Sequence, residues 1–225
     1  MSKCYGLCSA VARHESTFGL LRMSFYLIDD LEQGSSDWLL WRMGVVGASD
    51  APTIMGENPW ASPNRLLEEK LGLHRAFGGN EATREGHRLE DVARQLLIKK
   101  LKTQFRPSII QDSKEPFLAA SLDAIDDSSS VIIEIKCGAK SYQLTRDNSA
   151  VPNYYYAQLQ HMMMVSQLET ILFAAYRPEE PLITLEIKRN DSYIKRMRKA
   201  EKDFIQLLSK RGHKAQNKFV GRRVS

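Results

Sequence analysis

Three residues in one stretch of the chain carry groups that could do chemistry together: Asp123, Glu134 and Lys136. Two carboxylates and an ammonium converging at the end of a sheet are expensive to bury unless they pair or bind an ion. Carboxylate oxygens completed by water suit Mg²⁺ or Mn²⁺ and not a soft metal. The same residues also admit a plain structural ion pair, Glu134 with Lys136 on an edge strand, because Glu-x-Lys puts both side chains on one face.

The hydrophobic pattern supplies the elements that must position them. Residues 117–120 and 131–135 are apolar runs on either side of a polar segment, 126–130, and are expected to form a β-hairpin. The second run is β-branched, as suits a strand buried on both faces. Its period of two sets Glu134 and Lys136 on one face and Ile135 on the other, and pairing across the turn can bring Asp123 beside them. A strand at 107–111, ended by Asp112, precedes the hairpin.

Upstream, Ser36-Asp37 is expected to cap a short helix carrying Trp38, Trp41 and Arg42 and closed by Gly44. Ser49 caps a second helix ending at Gly56, and Ser62-Pro63 opens a third that Gly72 closes. Asn80 caps a long helix over 81–102 with the apolar stripe Leu89, Val92, Ala93, Leu96 and Leu97. Glu90 lies beside that stripe, free either to face solvent or to turn toward a sheet.

Downstream, 137–149 is a polar stretch and 153–165 a helix with Tyr154, Gln158 and His161 successive turns apart on one face. By pattern alone its methionines and tyrosines are packing and its glutamines solvent-exposed. Strands at 170–176 and 182–188 flank a turn at 178–181, and an amphipathic helix over 192–210 turns Ile194, Met197, Phe204, Ile205 and Leu208 inward. This order suits one α+β domain, residues 23–212, with a central mixed β-sheet flanked by helices. Residues 1–22 read as a dispensable extension and 213–225 as a basic, frayed tail.

Asp123 followed eleven residues later by Glu134-Ile135-Lys136 resembles the PD-(D/E)XK motif of the restriction-endonuclease-like nucleases. From about Trp38 to Val165 the chain resembles, more narrowly, the YqaJ-type viral recombinases of the lambda exonuclease family. Arg42, Ser49, Glu90, Asp112, Asp123, Glu134, Lys136 and Gln158 stand in family order, with Gly86-His87-Arg88-Leu89-Glu90 resembling the family's G-x-x-x-E. The chain departs from the family where Ser121-Leu122-Asp123-Ala124 replaces Ser-Pro-Asp-Gly and Gly138 replaces a proline. Those changes touch turn preferences and leave every carboxylate and the lysine in place.

The resemblance implies a restriction-endonuclease-like fold and a Mg²⁺-dependent 5′→3′ exonuclease. Such an enzyme digests linear double-stranded DNA to leave 3′ single-stranded overhangs for recombination by single-strand annealing. It implies two Mg²⁺ ions, with Mn²⁺ as a substitute. Asp123, Glu134 and the Ile135 carbonyl would hold one ion, and Asp123 with Asp112 the second, with Glu90 binding through water. Glu90, Asp123, Glu134, Lys136 and Gln158 would be catalytic: Lys136 orients or deprotonates the attacking water and Gln158 hydrogen-bonds that water or the phosphate. Arg42, Ser49 and Ser121 would bind the terminal 5′-phosphate, Ser49 at a helix N-terminus. A ring-shaped homotrimer and a single-strand annealing protein as partner are further implications. Two other readings remain open: a structure-specific or restriction-type endonuclease of the same fold, and a non-catalytic DNA-binding module.

Composition bounds these readings. The chain has no run of about 18 apolar residues, so no membrane span is expected, and Arg13-His14-Glu15 interrupts any signal-peptide core. Cys4, Cys8 and Cys137 cannot all pair, which points to a reducing cytoplasm; the resemblance implies that of a bacterial or phage-infected host cell. They cannot supply the four thiolates of an iron–sulfur cluster, and no histidine stands at a zinc spacing from a cysteine. The net charge of +5 is uneven. Residues 188–225 hold thirteen Lys and Arg against Asp191, Glu201 and Asp203, and the rest of the chain is net acidic. This favours a polyanionic partner, with Lys195, Arg198, Lys199 and Lys202 either contacting DNA phosphates or forming a solvated helix face.

Overall fold

The computed structural model describes residues 24–74 and 81–221. The expected extension at 1–22, Cys4, Cys8, the Asn80 cap and the last residues of the expected tail lie outside them. In chain order the elements are β1 (Phe25–Leu27), α1 (Ser36–Met43), β2 (Val46–Gly47), a 3₁₀ turn (Ala48–Asp50), α2 (Ala51–Ile54), α3 (Pro63–Lys70), α4 (Glu81–Leu101), β3 (Phe105–Asp112), β4 (Leu118–Asp126), β5 (Ile132–Lys136), α5 (Ala139–Asn148), a second 3₁₀ turn (Asn153–Tyr155), α6 (Tyr156–Ser166), β6 (Thr170–Ala175), β7 (Ile183–Lys188) and α7 (Asp191–Gly221).

The strands form one mixed sheet in the order β1-β3-β4-β5-β6-β7, with β2 added in parallel to β4. The expected hairpin is β4–β5, whose turn is tied by Asp126 accepting hydrogen bonds from the Ser130 and Val131 amides at 2.8 and 2.6 Å. β5 and β6 are parallel, joined by a crossover through α5 and α6. Two apolar clusters mark the two faces of the sheet. On one, Leu118, Leu122, Ile132 and Phe173 pack under Met162, Met163, Met197 and Phe204 of α6 and α7. On the other, Ala124, Ile133, Ile135 and Ala174 pack under Leu89, Ala93 and Leu97 of α4. Val92 and Leu96 face outward, so the buried stripe of α4 is narrower than its sequence suggested.

The free edge of β4 is where the architecture opens. β3 lines one edge along most of its length, but the other edge is shared. β2 pairs with Leu118 and Ala119, β5 pairs with Ala124 and Ile125, and among the described residues no strand lies beside 120–123 on this edge. At the same place β4 bulges. Ser108 pairs with Leu122 while Arg106 pairs with Ile125, so Pro107 alone stands opposite Asp123 and Ala124. Proline has no N–H to give the ladder, so a bulge here loses little. The freed carbonyls are satisfied by side chains: Gln33 donates to Leu122 O at 3.1 Å and Arg94 to Asp123 O at 2.7 Å.

Several local expectations are corrected. The first helix is capped by Ser35, whose hydroxyl accepts from the Trp38 amide, and not by Ser36. Ser49 caps no helix; it lies inside a 3₁₀ turn that begins after Gly47, and the α-helix that follows is only one turn long. The polar stretch after Lys136 contains a helix, α5, which buries only Ser141, Tyr142 and Thr145. The last helix does not end near residue 210 but continues through Gly221. β1 and β2 are strands of three and two residues, too short to show a period in sequence.

Candidate active site in the fork between β4 and β5

The register that pairs Ala124 with Ile133 would set Asp123 opposite Glu134, but the ladder stops there and the two strands part. Asp123 closes the fork with its side chain: Oδ2 accepts from the Ile135 amide at 2.7 Å. Glu134 is almost fully buried at 1% exposure, and both its donors bind the same oxygen. Lys136 Nζ lies 2.5 Å from Oε1 and Gln158 Nε2, reaching in from α6, donates to it at 2.6 Å. Oε2 is buried without a hydrogen-bond partner. Lys136 also stands 5.0 Å over the ring of Tyr155. The structural ion pair and the carboxylate centre are therefore the same object.

The charges do not balance. One ammonium faces two buried carboxylates, and the carboxylate of Glu90 on α4 adds a third nearby. Burial, and then the negative charge of Asp123, push the Glu134 carboxyl up to about 8. Burial raises Asp123 as well, against the pull of Lys136 and the Ile135 amide. Glu90 is raised by burial and by Asp123, opposed by His87, whose Nδ1 lies 3.3 Å from it. The two carboxylates hold Lys136 protonated against its burial. Burial lifts the neighbouring Cys137 thiol to about 12, which removes it as a thiolate nucleophile.

Such a donor set is one that a divalent cation would fit. Among the described residues no three His, Cys, Asp or Glu side chains form a ready cage. Yet Mg²⁺ is commonly held by one or two carboxylates with water for the rest. Asp123 and Glu134 fit that role through hard oxygen donors, an orphaned buried carboxylate oxygen and a surplus negative charge. Asp112 does not join them. It pairs across from the start of β4, about 17 Å along the strand from Asp123 at ~3.3 Å per residue. There its Oδ1 accepts from the Lys114 and Glu115 amides while Oδ2 faces Arg198. The second ion expected through Asp112 has no support in this geometry.

These charges set a pH dependence for the metal-free protein. A glutamate that keeps its proton to about pH 8 when folded, against 4.5 when unburied, stabilises the fold fully below 4.5. That contribution is lost as pH rises through 8. His161, also raised, acts in the same direction above its ordinary 6.5. Thermal melts in chelator should therefore show the melting temperature of the wild type falling by several degrees from pH 5 to 9. Glu134→Gln should remove much of that slope, and Mg²⁺ should restore stability chiefly at the alkaline end. A metal-free wild type with the slope of Glu134→Gln would contradict the assignment.

A second cluster lies beside β2. Arg42, near the C-terminus of α1, donates to Ser49 Oγ at 2.7 Å, lies 3.6 Å from Asp50 and sits 4.7 Å over the Trp38 ring. The Trp38 indole in turn donates to Ser121 Oγ at 3.0 Å. Arg42, Ser49 and Ser121 are thus brought into one group. Ser121 precedes Asp123 by two residues, about 7 Å along the open edge of β4. Sequence reasoning missed what holds this group. Buried Lys70 donates to the Arg42 and Val45 carbonyls and to Asp50, each at 2.8 Å, and Asp50 also accepts from the Gly47 amide. Its partners lie up to 28 residues away, and nothing in a helix-terminal lysine signals that. Arg94 was missed too, although its place one turn after Glu90 sets both on one side of α4. A cavity of about 400 Å³ opens here, lined by Arg42, Ser49, Asn58, Glu69 and neighbouring apolar side chains.

Lys195, Arg198, Lys199 and Lys202 of α7 are not brought to either cluster. Arg198 and Lys202 both bind Glu115 beside the Asp112 turn, and Lys199 pairs with Asp203 on the exposed face. Lys195 lines the same shallow groove as Arg198, Lys199 and Lys202. Of the thirteen Lys and Arg of 188–225, Arg189, Arg198, Lys199 and Lys202 are paired with carboxylates within the fold.

A family model described as the YqaJ-like viral recombinase domain matches residues 37–169. The chain is 29% identical over 184 residues to the uncharacterized protein YqaJ of Bacillus subtilis (strain 168), covering 79% of this chain and 57% of that protein. It is 23% identical over 168 residues to an uncharacterized protein of Acanthamoeba polyphaga mimivirus, covering 68% of this chain and 30% of that one. It therefore spans little more than half of one curated relative and less than a third of the other. Among solved structures it is similar to an alkaline exonuclease (LHK-Exo) from Laribacter hongkongensis, with a TM-score of 0.72, 22% identity, and 83% and 99% of the two chains covered. A phage related exonuclease from Haemophilus somnus gives a TM-score of 0.54 at 17% identity, over 74% and 96%. These likenesses establish a shared fold: the mixed seven-stranded sheet flanked by helices is that of these exonucleases.

Proposed function

Because the chain belongs to the YqaJ-like viral recombinase domain family, we propose that it is a Mg²⁺-dependent nuclease that digests linear duplex DNA from its 5′ ends and leaves 3′ single-stranded overhangs. The observation that carries this reading is the fork itself. Asp123, Glu134 and Lys136 converge there with one carboxylate oxygen orphaned, beside an anion-sized group of Arg42, Ser49 and Ser121. An anion site next to a carboxylate centre suits a strand that enters by its terminal phosphate. Two exonucleases of the same fold support the choice of exonuclease over endonuclease.

The residues divide the work. Asp123 and Glu134, with the Ile135 carbonyl between Glu134 and Lys136, would hold the cation. When bound, that cation would supply Lewis-acid stabilisation and a more acidic water. Lys136, kept protonated by its carboxylate neighbours, acts as a fixed positive charge for the phosphorane and not as a base. Gln158 fixes the Glu134 carboxylate, and Glu90 orders water at the mouth of the site. The ring-shaped homotrimer and the single-strand annealing partner belong to the same proposal and rest on the family alone. Of Lys195, Arg198, Lys199 and Lys202 on α7, it is Lys195 and the surface-paired Lys199 that would meet phosphates.

Incubating the protein and Mg²⁺ with linear and covalently closed circular duplex tests the reading. Linear duplex should be converted into mononucleotides and residual single strands while the circle survives; nicked or linearised circles would show an endonuclease instead. A finer result is expected from Arg42→Ala. The wild type should prefer 5′-phosphorylated over 5′-hydroxyl ends by about tenfold or more, the worth of a charge-assisted hydrogen bond. The variant should cut both slowly and at nearly equal rates. Equal wild-type rates on the two ends would remove the phosphate pocket from the account.

A further inference from the structure

Trp60 sits in the loop between α2 and α3 and is 67% exposed, unusual for the largest apolar side chain. It is held in place without being buried. Its amide donates to Asn58 Oδ1 at 2.9 Å, and Asn58 is anchored to Thr53 Oγ1 at 2.8 Å. Behind it runs a column of aromatic rings. Tyr154 meets Trp60 edge-on with centroids 4.9 Å apart, Tyr155 meets Tyr154 at 4.5 Å, and Phe173, wholly buried, backs Tyr155 at 6.0 Å. Lys136 lies 5.0 Å over the Tyr155 ring of this column, and exposed Lys140 lies 5.7 Å over the Trp60 ring at its outer end.

We propose that Trp60 is a stacking platform for an unpaired nucleobase of the DNA strand held at the fork, with Lys140 taking an adjoining phosphate. This deepens the nuclease reading and rests on it, since Lys136 marks where the strand's phosphate lies. A flat aromatic surface beside a cation matches a nucleotide's two parts, a π-face and a negative charge. An unpaired base is the occupant because bases inside a duplex already have both faces stacked. The rigid ring column fixes the distance between the platform and Lys136, so the stacked base helps set the phosphodiester in register.

The full chain tests this in chelator, where nothing is cut, with a fluorescein-labelled oligodeoxythymidine and a blunt DNA hairpin as probes. Trp60→Ala should weaken oligodeoxythymidine binding by about 5- to 150-fold, the loss of one base–aromatic stack, and change hairpin affinity less. Trp60→Phe should keep affinity within about threefold. Tryptophan emission should be quenched when unlabelled oligodeoxythymidine binds the wild type, and most of that quenching should vanish in Trp60→Phe. Melting temperatures of both variants serve as the check on folding, and an exposed side chain should leave them close to wild type. Trp60→Ala binding within twofold of wild type, quenching that survives in Trp60→Phe, or no single-strand binding by the wild type would each overturn the proposal. Cleavage of linear duplex by the wild type in Mg²⁺ is scored separately. Its absence would sink the nuclease reading, whereas cleavage with unaltered Trp60→Ala binding would sink the platform alone.

Discussion

Asp123→Ala is expected to lower cleavage of linear DNA by roughly 10³-fold or more, while DNA affinity measured in chelator should stay within about threefold. The two halves of this expectation come from different features of the site. Asp123 contributes an oxygen that would hold the cation, but no positive charge that could hold a phosphate. Its loss therefore removes chemistry and leaves binding to Arg42 and Lys136. Stability should change little. The Ile135 amide loses its acceptor, but Glu134 loses the neighbour that repels it, and the two effects oppose one another. Single-turnover rates and a binding isotherm on the same preparation check it, and near-normal turnover would remove Asp123 from the catalytic centre.

Lys136 is expected to show the opposite balance, with stability and turnover falling together. Lys136→Ala leaves two buried carboxylates facing each other with no ammonium between them. Breaking a buried pair from one side costs about 3–5 kcal/mol, and the partial exposure of Lys136 places the loss at the lower end. In a chain of this size that is roughly a 6–12 °C fall in melting temperature in chelator. Mg²⁺ should recover part of it, because the cation would replace the missing charge. Turnover should drop by about 10²- to 10³-fold even at saturating Mg²⁺, because the charge facing the phosphorane is gone. Glu134→Gln should also lose activity yet keep or gain stability in chelator. The double variant should melt close to wild type, the non-additivity expected of directly bonded partners. Additive losses would show that the two residues do not share one site.

Much of this centre was legible in sequence for a geometric reason. A strand's period of two fixes Glu134 and Lys136 on one face, and a polar turn between apolar runs fixes which aspartate comes opposite. Gln158 was legible only through family resemblance, because α6 is buried on all sides and shows no amphipathic stripe; even Gln160 is buried, bonded to Lys188 O and the Asn190 amide. Asp112 was expected at the second ion through family order, and local sequence does not show that the antiparallel β3–β4 turn leaves it beside the start of β4, five residues along that strand from Asp123. The two-residue strand β2 and the Asp50–Lys70 pair were invisible because both exist only through tertiary contact. Without β2 the gap in the β4 edge, and hence the juxtaposition of the Arg42, Ser49 and Ser121 group with the carboxylates, could not be inferred. α5 escaped because its buried side is mostly polar, with Thr145 bonded to its own helix at Ser141 O.

The measurement closest to the central claim uses linear duplex radiolabelled on either the 5′ or the 3′ terminal nucleotide of one strand. Each substrate is incubated with Mg²⁺ and the wild type, or with Glu134→Gln as control. The 5′ label should appear at once as a mononucleotide while the 3′ label stays in long strands, and the control should release neither. Release of the 3′ label first, or of either label as internal fragments, would contradict the central claim.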